Sequence, residues 1–317
     1  MTHYTFASLY PSRHPLAFRN AEHLGESTFG VEITDSALSD ACGLGNLDPQ
    51  HSPALYATQS AIEAALTCDL PPIGSKLVVQ RGDADALGAM AVMDLRAGGD
   101  KPDHSMIRRV GTIGRWDRFD FGAWDEWVNI HPPLPEVAQR DDLRGAPLSV
   151  RALSCLARDG MLSLETRIGG LKLWLTSGIL PASGLLLALH EEDSLLHAWN
   201  TGKLPIKLTS DPAIVTLSSA LPFGLRLAYR WAPVVIGETT FDCQRKFTVA
   251  QFDRNWLDLA DLQARLNALE PGWGGSATLL GSPQGVSSQL SLATVMKEVR
   301  AVRLRALLAR TGEKKSL

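Results

Sequence analysis

A short apolar run that ends in a pair of aspartates constrains this chain more than any other feature. Lys76–Arg81 has the composition of a buried strand, and the small and apolar residues of Ala86–Ala97 predict a buried helix after it. Asp83 and Asp85 lie in the turn between the two. Strand–turn–helix units are typical of α/β folds, which bind ligands at the carboxyl edge of the sheet. Carboxylate oxygens at that edge suit hard divalent cations.

The same two aspartates also have a structural interpretation. Asp85 could cap the helix by accepting its free backbone N–H groups while Asp83 is solvated. Because neighbouring carboxylates repel each other, a cation or an arginine such as Arg81 is needed to keep both ionised. The pair alone leaves the structural and the functional interpretations equally open.

Length and composition limit the class of protein. The chain has 317 residues and a formal net charge of −3, which suits one large or two modest domains and argues against a protein that coats nucleic acid. Its four cysteines are scattered without a Cys-x-x-Cys pair, so we expect a reducing, cytoplasmic location. The start of the chain lacks the pattern of a signal peptide, and the apolar stretch Leu171–Leu189 is interrupted by proline and glycine. We therefore expect two buried helices there and no association with a membrane.

The order of elements predicts an α/β protein with two domains. An N-terminal parallel-sheet domain with flanking helices is expected over residues 1–204, and a smaller C-terminal α+β domain over 205–317. Gly202–Pro212 is interpreted as the linker. The elements predicted after it are strands at Ala213–Ser218, Leu225–Trp231, Val234–Ile236, Lys246–Gln251 and Ala277–Leu280, and helices at Leu257–Leu269 and Leu290–Leu308.

Two further segments could bind ligands. Asp48 and His51 lie in a tight polar turn around Pro49, and imidazole with carboxylate is reasonable metal-binding chemistry, although an ordinary exposed turn fits equally well. The second segment is rich in glycine and serine, and its backbone N–H groups could bind a phosphate or a carboxylate. Turn chemistry between short strands is the alternative. The residues of this second segment are Gly274, Gly275, Ser282, Gln284 and Ser287.

Together these segments resemble, remotely, the DHH-type phosphoesterases. In that family an apolar strand ends in His-x-x-x-Asp-x-Asp and leads into a helix of small residues that begins near a glycine. Asp83, Asp85 and Gly88 match this pattern, whereas Val79 stands at the histidine position and the Asp-His-His motif has no direct counterpart. The family's second domain has a strand, a helix and a glycine-rich motif. The corresponding order here is Lys246–Ala250, Leu257–Leu269 and Gly272–Gly275.

The resemblance implies a metal-dependent, phosphoesterase-like hydrolase that acts on a small phosphorylated or nucleotide-like substrate in a cleft between the domains. It implies one or two Mn²⁺ or Mg²⁺ ions bound by Asp48, His51, Asp83 and Asp85, of which the last three are also the expected catalytic residues. The glycine- and serine-rich residues named above would bind the substrate. An extended nucleic acid is not expected as a partner, and a homo-oligomer is left open. Because Val79 replaces the histidine, a catalytically inactive DHH-like protein with a ligand-binding or assembly role is the alternative.

Overall fold

The computed structural model describes residues 2–9, 23–49, 59–118, 120, 122–124, 126, 147–219, 224–241, 244–283 and 286–313. The chain divides into two compact units. The first consists of Met1–Asp117 with Ala146–His190, and the second of Arg118–Gly145 with Glu191–Leu317. The assignment of domains to residues 1–204 and 205–317 stays a prediction.

A four-stranded parallel sheet forms the centre of the first unit. Its strands lie in the order β1-β4-β2-β3, so the latest strand in the chain is an interior one. Side chains alternate across the sheet, as they must in extended chain. Leu77 and Val79 point into the larger hydrophobic core, and Val78 points into a smaller core on the other face. The strands are β1 (Thr5–Ser8), β2 (Thr28–Val31), β3 (Asn46–Leu47) and β4 (Lys76–Val79).

Helices cover both faces of this sheet. The helices are α1 (Ser36–Asp40), α2 (Ala61–Ala64), α3 (Ala84–Ala97), α4 (His104–Asp117), α5 (Leu148–Arg158), α6 (Leu164–Ser177) and α7 (Ala182–Asn200). Every residue of α3 from Ala84 to Asp94 is buried. Small side chains such as Ala86, Gly88 and Ala89 let neighbouring elements approach this helix closely.

The second unit is built on a six-stranded mixed sheet in the order β5-β6-β7-β8-β10-β9. Alternate residues again face opposite cores. Val234 and Ile236 pack in the core that contains α9 and α10, and Val215 and Val235 pack in the core that contains α8 and the end of α7. The remaining elements are β5 (Ile206–Leu208), β6 (Ile214–Ser218), α8 (Gly224–Ala228), β7 (Val234–Phe241), β8 (Gln244–Gln251), α9 (Leu259–Leu269), β9 (Gly274–Gly275), β10 (Leu279–Gly281) and α10 (Leu292–Glu313). The predicted α/β class with two domains is confirmed.

Two predictions for the second unit are wrong. Leu225–Trp231 is predicted to be a strand, but its first part lies in helix α8. Because β6 and β7 are parallel, the chain between them must return to the other end of the sheet, and it does so through this helix. The predicted linker Gly202–Pro212 contains strand β5, which pairs with β6 at the edge of the sheet.

Both edges of the six-stranded sheet are short. One edge strand, β5, has three residues, and the other, β9, has two. In β9, a Cβ atom added to Gly275 would lie 2.0 Å from the backbone oxygen of Leu279, so only glycine fits there.

No single helix in the described ranges is long and apolar enough to cross a membrane. One pair of consecutive helices, Leu164–Ser177 and Ala182–Asn200, meets that test of length and composition when taken together, with a bend of 97° between its members.

The contact between α7 and α5 gives a test of packing in the first unit. A Cβ atom added to Gly184 would lie 2.4 Å from the backbone oxygen of Ala152. We expect Gly184→Ala to lower the free energy of unfolding by about 1–3 kcal/mol, because the two helices must move apart. Gly169 on α6 has no atom within 4 Å of the same position, and Gly169→Ala should raise the free energy of unfolding by up to about 1 kcal/mol. Denaturant unfolding measures both, and equal effects of the two substitutions would contradict this packing.

Candidate functional site

Acidic residues follow three neighbouring parallel strands of the first unit. Glu32 comes directly after β2, Asp48 directly after β3, and Asp83 shortly after β4. Because parallel strands end at the same edge of a sheet, these side chains share one edge. Asp85 on α3 and Asp117 at the end of α4 act electrostatically on the same region. We call these five residues the carboxylate cluster.

Glu32 is the centre of the carboxylate cluster. Burial raises its pKa well above the ordinary value of 4.5, and the nearby charges of Asp83, Asp85, Asp117 and Asp48 raise the pKa further, in that order. Its backbone has φ of +51°, and it is the one described non-glycine residue in the left-handed region. That conformation is unusual for a residue with a long side chain and is found most often at functional sites. The folded protein therefore loses stability at Glu32 in two ways: through its burial among like charges and through its unusual backbone conformation.

Asp83 begins helix α3. Its Oδ1 accepts hydrogen bonds from the backbone N–H groups of Asp85 at 3.0 Å and Ala86 at 2.9 Å, and the side chain is exposed. Asp83 is thus the N-cap that satisfies the first free donors of the helix. The structural interpretation from the sequence gave this cap to Asp85, and that assignment is wrong.

Asp85 caps a different helix. Its side chain is buried, with the residue 1% exposed, and its two oxygens accept hydrogen bonds from the backbone N–H groups of Ala61 at 2.7 Å and Ile62 at 3.3 Å. These donors form the first turn of α2. Burial raises the pKa of Asp85 most strongly, the charges of Asp117 and Asp83 raise it further, and the hydrogen bonds lower it. The carboxylate of Asp85 therefore joins α3 to α2.

The predicted metal-binding set is only partly described. Asp83 lies at the carboxyl edge as expected, Asp48 follows β3 at the same edge, and His51 lies outside the described residues. Among the side chains that are described, no three His, Cys, Asp or Glu residues form a group that could hold a metal ion. The donor chemistry suits a hard cation, because every member of the cluster supplies carboxylate oxygens. The binding of a metal by Asp48, His51, Asp83 and Asp85 stays a prediction.

The predicted substrate-binding residues of the second unit take part in internal contacts. The hydroxyl oxygen of Ser282 accepts a hydrogen bond from the backbone N–H of Phe247 at 3.0 Å, and that of Ser287 accepts one from Arg245 at 3.0 Å. The glycines of this segment, Gly274 and Gly275, form strand β9. Gln284 lies outside the described residues. Substrate binding by these residues stays a prediction, and their contacts are those expected of turn chemistry.

The sequence does not predict Glu32 as a site residue, and it does not place Asp117 in the same site as Asp83 and Asp85. The signal for Glu32 is weak: one acid after the four-residue run Thr28–Val31, which contains a glycine. Asp117 ends a helix and is 34 residues from Asp83 in the chain. The order of the strands places Glu32 at this edge of the sheet, and the effect of Asp117 on the pKa of Glu32 shows that its charge acts there too.

The chain is remotely similar to a known protein structure. No family model matches the chain, and no curated protein matches its sequence. The fold is similar to a solved structure described as the pGpG-specific phosphodiesterase PggH from Vibrio cholerae. The two chains share 15% identity over 75% of this chain and 82% of the other, with a TM-score of 0.39. No family, activity or residue role is transferred from this match.

The raised pKa of Glu32 predicts how stability depends on pH. Above pH 4.5 the unfolded chain loses the Glu32 proton while the folded protein keeps it, so the free energy of unfolding falls as the pH rises. We expect this decline in chelator-treated protein, and we expect Glu32→Gln to make it shallower and to raise stability at neutral pH. Denaturant unfolding between pH 4.5 and 8 measures both effects.

The matched control for this experiment is Glu26→Gln, because Glu26 is exposed. It should leave the pH profile of the wild type unchanged. If the stability of Glu32→Gln depends on pH as that of the wild type does, the charge of Glu32 is not a source of the repulsion within the cluster.

Proposed function

We propose that the chain is a phosphoesterase-like hydrolase whose reaction takes place at the carboxyl edge of the four-stranded sheet. The observation that carries this proposal is the convergence of acidic residues from the ends of β2, β3, β4 and α4 on one edge, where burial and then the neighbouring negative charges raise the pKa of Glu32. A fold that only needed a stable edge would not concentrate like charges there, since they repel. A divalent cation is the partner that such oxygens suit best.

The proposed cation-binding residues are Asp48 and Asp83 together with His51, which lies outside the described residues. A bound Mn²⁺ or Mg²⁺ would lower the pKa of a water molecule and stabilise the charge on a phosphoryl group. Asp85 holds α2 against the start of α3 through its two hydrogen bonds, which fixes the backbone that carries Asp83. The substrate proposed for this site is a small phosphorylated or nucleotide-like molecule.

A catalytically inactive protein of the same fold is the second candidate. Val79, at the position where the related motif has histidine, is fully buried in the hydrophobic core. The oxygens of Asp85 and one oxygen of Asp83 already accept backbone hydrogen bonds. These contacts would serve a ligand-binding or assembly protein equally well.

Asp83→Asn separates the two candidates. Asparagine also caps helices, so the substitution should change stability little, while it removes one charge from the cluster. If the proposed function is right, Mn²⁺ binding should weaken, and the Mn²⁺-dependent hydrolysis of bis(p-nitrophenyl) phosphate should fall by roughly a hundredfold or more. Equilibrium dialysis measures metal binding, and initial rates measure hydrolysis.

The matched control is Asp258→Asn in the second unit. Asp258 caps α9 in the same way, with one oxygen accepting hydrogen bonds from the N–H groups of Ala260 at 3.0 Å and Asp261 at 3.1 Å. It should leave metal binding and hydrolysis unchanged. A wild-type protein that binds no Mn²⁺ and hydrolyses no phosphodiester would favour the inactive candidate.

A further inference from the structure

Arg167 is a buried arginine beside the turn that leads to the carboxylate cluster. It lies on α6 and is 7% exposed. Burial lowers the pKa of its guanidinium, and the charges of Asp159 and Glu165 raise it. Neither of these acids, nor any other described acidic residue, lies within ion-pair distance of Arg167. A buried charge without an opposite charge in contact is costly, and natural proteins rarely keep one without a reason.

Most of the donors of this guanidinium are unused. Nη1 donates a hydrogen bond to the backbone oxygen of Ala157 at 2.9 Å, near the end of α5. Nε is buried and has no hydrogen-bond partner. Within the described part of the chain, Nη1 is the one nitrogen of Arg167 that makes a hydrogen bond. The rigid fork of a guanidinium matches the oxygens of a phosphate group, so the unused donors are suited to an anion.

Gly82 brings this guanidinium next to the backbone that precedes Asp83. A Cβ atom added to Gly82 would lie 3.3 Å from Nη1 of Arg167, which is closer than most side chains allow. Gly82 directly precedes Asp83 in the chain, so this guanidinium lies beside the backbone that leads to the cluster. A cation at that point offsets the repulsion that the carboxylates exert on an approaching anion.

We propose that Arg167 binds a phosphate oxygen of the substrate beside the Gly82–Asp83 turn and so selects phosphoesters over uncharged esters. The inference rests on the proposed function, because it assigns a substrate-binding residue to the same site. Arg167 supplies the positive charge and the donors that the contact with Ala157 leaves unused.

A purely structural role for Arg167 makes a different prediction. Arg109 on α4 offers the matched control, because it makes the same kind of contact far along the helix from Asp117. Its Nη1 donates a hydrogen bond to the backbone oxygen of Leu175 at 2.8 Å, near the end of α6, and its guanidinium lies against Gly178. If Arg167 only satisfies a helix carbonyl, substitution of either arginine should have the same consequences.

The experiment measures the binding of inorganic phosphate by calorimetry to the full chain, with chelator and separately with Mn²⁺. We expect the wild type to bind phosphate, Arg167→Met to bind it roughly tenfold to a hundredfold more weakly, and Arg109→Met to bind it as the wild type does. Arg167→Lys keeps the charge but not the fork, and its affinity should be intermediate. If Arg167→Met does not fold, the comparison of Arg167→Lys with Arg109→Lys carries the test.

Three results would overturn the inference: a wild type that binds no phosphate, equal affinities of the Arg167 variants and the wild type, or equal losses in the Arg167 and Arg109 variants. The proposed function fails separately. If phosphate binding depends on Arg167 but the protein neither binds Mn²⁺ nor hydrolyses phosphodiesters, the inference about Arg167 holds and the proposed hydrolase function is wrong. If hydrolysis needs Mn²⁺ but the Arg167 variants bind phosphate as the wild type does, the proposed function holds and the inference about Arg167 is wrong.

Discussion

The first unit depends most on the hydrogen bonds that the buried carboxylate of Asp85 accepts. Its two oxygens accept hydrogen bonds from the first turn of α2, while its own backbone lies in the first turn of α3. A helix of four residues has little stability of its own, so α2 relies on this cap and on the burial of Ala61 and Ile62. The charge of Asp85 in turn raises the pKa of Glu32. One side chain thus links the packing of the helices to the electrostatics of the cluster.

The segment from β4 to α3 could be predicted from the sequence because all its signals are local. The apolar run, the turn and the helix of small residues lie within about twenty residues, and the observed bounds, Lys76–Val79 and Ala84–Ala97, differ from the predicted ones by two residues at one end of each element. The cap was assigned to the wrong aspartate because the residue that leaves helical geometry is set by the path of the turn. The prediction of a strand at Leu225–Trp231 is wrong because the local sequence cannot reveal that the neighbouring strands, β6 and β7, are parallel and need a helix between them.

Within the candidate site, the residues that could be predicted lie mostly in the segment from β4 to α3. Asp83 and Asp85 were found, and Asp48 was proposed from its polar turn. Glu32 was missed because its significance comes from the pairing of β2 with β4, which are separated by more than forty residues. Arg167 was missed for the same reason, since nothing near it in the chain indicates that Gly82 lies against it. Long-range pairing decides which charges meet, and one sequence gives no access to it.

The short edges of the six-stranded sheet limit how copies of this chain could join. An exposed edge strand can pair with a strand of another molecule, and the strength of that pairing grows with the number of unpaired backbone groups it offers. Strands of two and three residues offer few, so extension of this sheet from molecule to molecule gains little. A bulkier residue at position 275 would not lengthen the edge but would break its pairing with β10. The glycine that was a candidate for ligand recognition is therefore the residue that lets the sheet end in a strand of two residues.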